Sequence, residues 1–174
     1  MDASLCPNMF NFTVKLIKVF LHFCITICAM SLSRPLKIIL GVIAFIFVAI
    51  QFIPVNRNNP PVKQEINWDS PQTKALAERA CGDCHSNNTK WPAYSYVAPV
   101  SLFIQHEINE GRQKINFSEW GARRISRDLG NEIEENVKNG SMPTPQYLLL
   151  HPEARLTDAE KAQLIEGLKK SIER

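Results

Sequence analysis

The sequence predicts an all-α fold: a small helical domain behind one N-terminal transmembrane helix. Three observations predict it. Apolar residues after position 68 recur at three- and four-residue spacing, and no alternating run marks a strand. The nineteen residues 38–56 carry no charge and are mostly Ile, Val, Phe and Ala. Thr157 and Glu160 stand three apart ahead of an apolar run, the signature of a capped helix start.

The uncharged run comes first in the chain. Spanning hydrocarbon takes about 20 apolar residues. Arg34 and Lys37 precede the run and predict a cytoplasmic start. Pro54 and the string Asn-Arg-Asn-Asn-Pro-Pro end it and open an extended linker. A cleaved signal peptide or a buried core helix competes with this reading. The run is long for a signal peptide, and no small-x-small cleavage site follows it. The expected division is an apolar and basic lead over 1–35, an anchor over 36–54, a linker over 55–67 and a domain over 68–174. Within the lead, Lys18 and Arg34 bracket fifteen uncharged residues, too few for a comfortable second span. A translation start at Met30 accounts for the lead more simply, and no function is assigned before it.

In the domain, Asp69 or Ser70 caps a first helix with Pro71 in its first turn, running through Ala80. Residues 86–99 read as loop. A second helix spans 100–110 with Val100, Phe103, Ile104 and Ile108 as its apolar stripe, stopped by Gly111. A third covers roughly 126–139, with Ile133 and Val137 on one face and Gly140 as its stop. Ser141-Met142-Pro143-Thr144-Pro145 excludes regular structure. The last helix follows Thr157 and buries Leu164, Ile165, Leu168 and Ile172.

Charge separates the two parts. Residues 1–53 hold four bases and one acid, which accounts for the whole net charge of +3. The remainder holds sixteen of each sign and lacks the basic footprint of a nucleic-acid binder. Cys6, Cys24 and Cys28 lie in the apolar lead, so Cys81 and Cys84 are alone in the polar part. A disulfide scaffold would need more pairs.

Those two cysteines belong to Cys81-Gly82-Asp83-Cys84-His85, the C-x-x-C-H pattern of covalent haem attachment. The spacing has a chemical reason. Two thiols must reach two vinyl groups on one porphyrin edge, and the next residue must turn an imidazole onto the iron. A thioredoxin-type pair would sit between a strand and a helix, and none of the surrounding pattern is strand. Structural zinc needs four ligands, and no further cysteine lies outside the apolar lead. The expected cofactor is one haem c, bound through Cys81 and Cys84, with His85 on the iron.

The other face of the iron has two candidates. Met142 follows Gly140 and precedes Pro143, which stiffens a loop able to aim a thioether inward. His106 lies in the second helix; its ligation would lower the potential relative to a thioether. His151, before Pro152, reads as structural. The neighbourhood of Pro99 is a candidate source for the carbonyl that orients His85. Trp91, Tyr94, Tyr96 and Trp120 are candidate haem-lining residues. Arg123, Arg124 and Arg127 are candidate partners of haem carboxylates.

With these residues in view, the chain resembles class I c-type cytochromes, and more narrowly the bacterial haem-binding-domain family of short anchored proteins. The resemblance covers about 36–174. It is carried by the haem motif, Trp91-Pro92, Glu110-Gly111-Arg112, the Asn-Phe-Ser-Glu-Trp string at 116–120, Met142-Pro143 and the His-Pro-Glu-Ala-Arg-Leu string at 151–156. Ala93 stands where such sequences more often have an aromatic residue. The resemblance implies a class I cytochrome c-like helical haem domain whose first and last helices cross, with His85 and Met142 as ligands.

The expected function is one-electron transfer to membrane redox proteins. The expected location is a bacterial inner membrane, spanned once, with the haem domain on the periplasmic side. A peroxidase-like enzyme would need an open sixth site. A gas or redox sensor would need a labile one.

Overall fold

The computed structural model describes residues 33–121 and 128–173, with isolated positions at Lys18, His22, Ile25, Thr26 and Ser31. The described chain forms two compact units, Met1–Val55 with Tyr94–Leu102, and Asn56–Ala93 with Phe103–Arg174. The expected start at Met30, the question of a second span before it, and Arg123, Arg124 and Arg127 lie outside the described residues.

The first unit is built on α1 (Arg34–Ile50), which has 17 residues and a proline in its first turn. Ala44 is its one buried residue, whereas Ile38, Ile43 and Phe45 are each more than half exposed. The helix stops short of the expected bound at 54. The Gln51 side chain closes it by donating to the carbonyls of Phe47 and Ala98 (2.9 and 3.0 Å) and accepting from the Ala98 amide (3.0 Å). Among the described residues no helix is long and apolar enough to cross a membrane.

The second unit is helical, with one isolated parallel bridge between Gln64 and Glu119 among its described residues. Its helices are α2 (Pro71–Ala80), the single turn α3 (Gly82–His85), α4 (Val100–Lys114, whose first three residues belong to the first unit), α5 (Leu129–Lys138), α6 (Pro145–Leu150) and α7 (Asp158–Ile172). Local chemistry sets the ends of two of them. Ser70 caps α2 by accepting from the Thr73 amide at 3.2 Å. At α7, Glu160 N donates to Thr157 Oγ1 (3.3 Å), and Thr157 N donates back to Glu160 Oε2 (2.8 Å).

Helix α7 is the centre of the core. Its Leu164 and Leu168 pack with Leu76 and Ala77 of α2 and with Ile66 and Phe117, while Trp68, Cys81, Ile115 and Ile133 close around them. Trp68 and Phe117 pack at 5.1 Å with rings tilted by 59°. Ile172, expected in the buried stripe, is half-buried.

Three further expectations are corrected. Helix α4 does not stop at Gly111 but continues to Lys114, because Gly111 sits on a face that needs a bare backbone. Of its expected stripe only Ile108 is buried; Val100 and Phe103 are exposed. Pro145 is not outside regular structure but opens α6, where a proline needs no amide partner.

Glu134 of α5 bonds to both Lys138 and Lys169, tying α5 to α7. These two lysines hold its carboxyl down to about 2 from an ordinary 4.5. A lowered folded value stabilises the fold above the ordinary value and ceases to do so as pH falls through the folded one. Glu134→Gln should therefore flatten the decline of the thermal midpoint between pH about 4.5 and about 2, while changing it little near neutrality because the pair is solvent-screened.

Candidate functional site

The motif residues are placed by two helix ends. Cys81 caps α2 and begins α3, so Cys84 N and His85 N both donate to Cys81 O, at 3.2 and 2.9 Å. One turn thus carries both thiols and the imidazole, although Cys84, unlike Cys81 and His85, does not line the adjoining cavity. Both cysteines are free and half-buried. Burial pushes the Cys81 thiol up to about 12 and, with the neighbouring Asp83 carboxylate, the Cys84 thiol up to about 11.

His85 is gripped twice. Its carbonyl accepts from the Phe117 amide at 2.8 Å, and its Nδ1 stands 3.2 Å from the Ile115 carbonyl. That contact makes Nδ1 the protonated nitrogen and leaves Nε2 free as a metal ligand. Burial shifts the imidazole toward its neutral, ligating form. The orienting carbonyl is therefore that of Ile115 and not one near Pro99. Pro99 is exposed and belongs to the first unit.

Cys81 and His85 line a cavity of about 880 Å³, within the range of cofactor sites. Its apolar wall includes Ile108, Phe117, Trp120, Ile133 and Leu168, and Met142 lies in the same wall. Amide side chains, among them Asn109 and Asn136, supply the polar part. Trp91 also lines it, and the buried indole N–H of Trp91 has no hydrogen-bond partner among the described residues. His106 is exposed on α4 and does not line the cavity, so the alternative ligand faces away from it. Tyr94 and Tyr96 belong to the first unit. His151 stacks on Tyr147 at 4.1 Å, in keeping with a structural role.

The loop after the motif is held by residues that the chemistry of the sequence did not single out. Asn87 is almost wholly buried. It donates through Nδ2 to Pro61 O (3.0 Å) and Glu119 Oε1 (3.1 Å), accepts from Asn116 Nδ2 (2.9 Å), and its amide donates to Ser118 Oγ (3.0 Å). Arg112 donates to Ser86 O (2.8 Å) and Thr89 Oγ1 (2.9 Å). The Asn-Phe-Ser-Glu-Trp string thus holds the histidine and its loop. Its recurrence in the family resemblance was the available signal.

These observations fit a haem. The cavity is large and mostly apolar, an imidazole with a fixed tautomer and a thioether share its wall, and one buried donor in that wall has no partner among the described residues. Comparison with known proteins agrees. Cytochrome c peroxidase Ccp of Escherichia coli (strain K12) is 26% identical over 100 residues, covering 55% of this chain and 22% of that protein. The chain thus matches about a fifth of that relative's length. No solved structure matches it. The model of the haem-binding domain family matches residues 45–170, most of the chain, including every residue of the cavity just described. The chain is a haem protein and belongs to the haem-binding domain family.

Proposed function

We propose that this protein is a membrane-anchored, mono-haem c-type cytochrome that carries single electrons, with haem bound covalently through Cys81 and Cys84 and iron held by His85 and Met142. One observation carries the reading: His85 has Nδ1 engaged by the Ile115 carbonyl, while Met142 lines the same cavity. Bound haem supplies a one-electron couple, and thioether ligation raises its potential relative to two histidines. The chain's own residues do the rest. Ile115 and Phe117 fix the imidazole so that little rearrangement accompanies a change of charge. Phe117, Trp120 and Leu168 keep water from the centre. The buried Trp91 indole N–H is a donor available to a haem carboxylate.

The anchor reading is supported by α1, whose apolar side chains lie exposed along its length after Arg34 and Lys37. Such a surface calls for lipid or another apolar cover. The proposed setting is a bacterial inner membrane with the haem domain on the periplasmic side, serving membrane redox partners.

A second reading follows from the peroxidase relative: a haem enzyme with an exchangeable sixth place. One preparation separates the two. The matured full-length protein should keep its pigment through acid-acetone extraction and give a pyridine haemochrome spectrum of one haem per chain. Its ferric near-infrared Met–iron band should vanish in Met142→Ala and persist in His106→Ala. A high-spin ferric spectrum in the unmodified protein would favour the enzyme, and colourless or extractable pigment would refute covalent attachment.

A further inference from the structure

We propose that Tyr147 and Asp83 are a positioning pair that straps the Met142 loop to the cysteine motif, and that their hydrogen bond sets how readily the sixth iron ligand exchanges. The proposal rests on the reading of Met142 as that ligand. It names two residues that neither the motif nor the cavity lining singles out.

The loop is held from both sides. Gly140, at a φ of +76°, reverses the chain after α5. Upstream, Met142 N donates to Asn136 O (3.0 Å), and Ser141 Oγ to Asn136 Oδ1 (2.9 Å). Downstream lies α6, which buries no residue; Leu149 and Leu150 are 76% and 59% exposed. A helix of six residues whose most covered side chains, Tyr147 and Leu148, are only half-buried has little packing to fix it.

Its polar tie is Tyr147 Oη, which donates to Asp83 Oδ2 at 2.7 Å. The acceptor is itself immobilised. Asp83 Oδ1 accepts from the Lys90 amide (2.9 Å), and Asp83 O accepts from Thr89 Oγ1 (2.6 Å). On the other side the Tyr147 ring stacks on His151 at 4.1 Å, with the planes 11° apart. Burial, followed by the bond to the Asp83 carboxylate, raises the phenol's pKa, so the hydroxyl stays a donor. Asp83 sits between the two cysteines, and Tyr147 lies five positions after Met142. One hydrogen bond therefore joins the segment that carries the fifth ligand to the segment that carries the proposed sixth.

The test uses matured full-length protein in detergent, with Tyr147→Phe, which keeps the ring and its stack, and Leu149→Ser as a control on the exposed side of the same helix. The readouts are the haemochrome spectrum, the ferric Met–iron band and the rate of carbon monoxide binding to the reduced protein. Tyr147→Phe should keep its haem, weaken the band and bind carbon monoxide about tenfold faster, the factor that about 1.4 kcal/mol produces. Leu149→Ser should match the unmodified protein. An unchanged rate in Tyr147→Phe, with the band present in the unmodified protein and absent from Met142→Ala, overturns the strap and leaves Met142 as ligand. A band that is missing from the unmodified protein, or that survives Met142→Ala, overturns both. A Tyr147→Phe protein that matures without haem also overturns the strap, since the pair would then act on attachment.

Discussion

Gly111→Ala is expected to reduce haem incorporation at least about tenfold, with a fold destabilised by about 3 kcal/mol, the upper part of the usual range for overpacking. The reason is a backbone contact. A Cβ on Gly111 would stand 2.6 Å from the Cys84 carbonyl oxygen and 3.0 Å from its carbon. Neither atom is the end of a flexible side chain, so relief requires α4 to move away from the turn that carries Cys84 and His85. Moving α4 also moves its end, from which Ile115 offers its carbonyl to His85. The mutation therefore disturbs the imidazole before it disturbs the remote core. Haem per polypeptide from the haemochrome spectrum, together with the thermal midpoint, checks this. Gly41→Ala is the matched control: it lies in a helix with nothing within 4 Å of the added carbon, and should leave haem content unchanged and the midpoint no lower. Wild-type haem content in Gly111→Ala would mean that α4 and the motif do not touch as described.

The same glycine shows what a sequence conceals. A glycine after an apolar helical run reads as a stop, because helices so often end there. Whether it ends the helix or lets another backbone approach depends on a partner 27 positions away in the chain. Features fixed by neighbouring residues were legible: the Ser70 cap with Pro71 behind it, the Thr157–Glu160 box, and the turn from Cys81 to His85. The irregular loop that puts Met142 in the cavity wall was legible for a related reason, since Gly140 and Pro143 mark it by their own backbone limits.

His106 is a candidate ligand for what its side chain can do, and side-chain chemistry carries no register. His106 is one position from Gln105 and two from Ile108, both of which line the cavity, yet it is exposed. The carbonyl that orients His85 comes from Ile115, and a backbone acceptor leaves no trace in residue type. Val100 and Phe103 keep helical spacing with Ile108 without sharing its burial, although only Val100 of the two belongs to the other unit.

Gly167→Ala should cost more than Gly111→Ala in stability, about 3 kcal/mol or above, because the obstruction is worse and more deeply placed. The added carbon would lie 1.9 Å from Thr73 Oγ1, 2.7 Å from its Cγ2 and 2.8 Å from its Cβ. Thr73 is buried, and β-branching leaves it few rotamers into which to retreat. Its hydroxyl also contacts Ser70 Oγ at 3.0 Å, and that oxygen caps the Thr73 amide. Displacing Thr73 therefore strains the start of α2, while separating α2 from α7 opens the contacts of Leu76 and Ala77 with Leu164 and Leu168. The urea midpoint of matured protein should fall with little change in its slope, the mark of lost stability and not of an altered unfolded state. Thr73→Ala removes the two atoms beyond Cβ and should be mildly destabilising alone. Combined with Gly167→Ala it should recover at least about 1 kcal/mol relative to the sum of the single changes, a coupling typical of residues in direct contact. Strict additivity would show that α2 and α7 do not cross at this pair, and the haem cavity built on that crossing would then need a different frame.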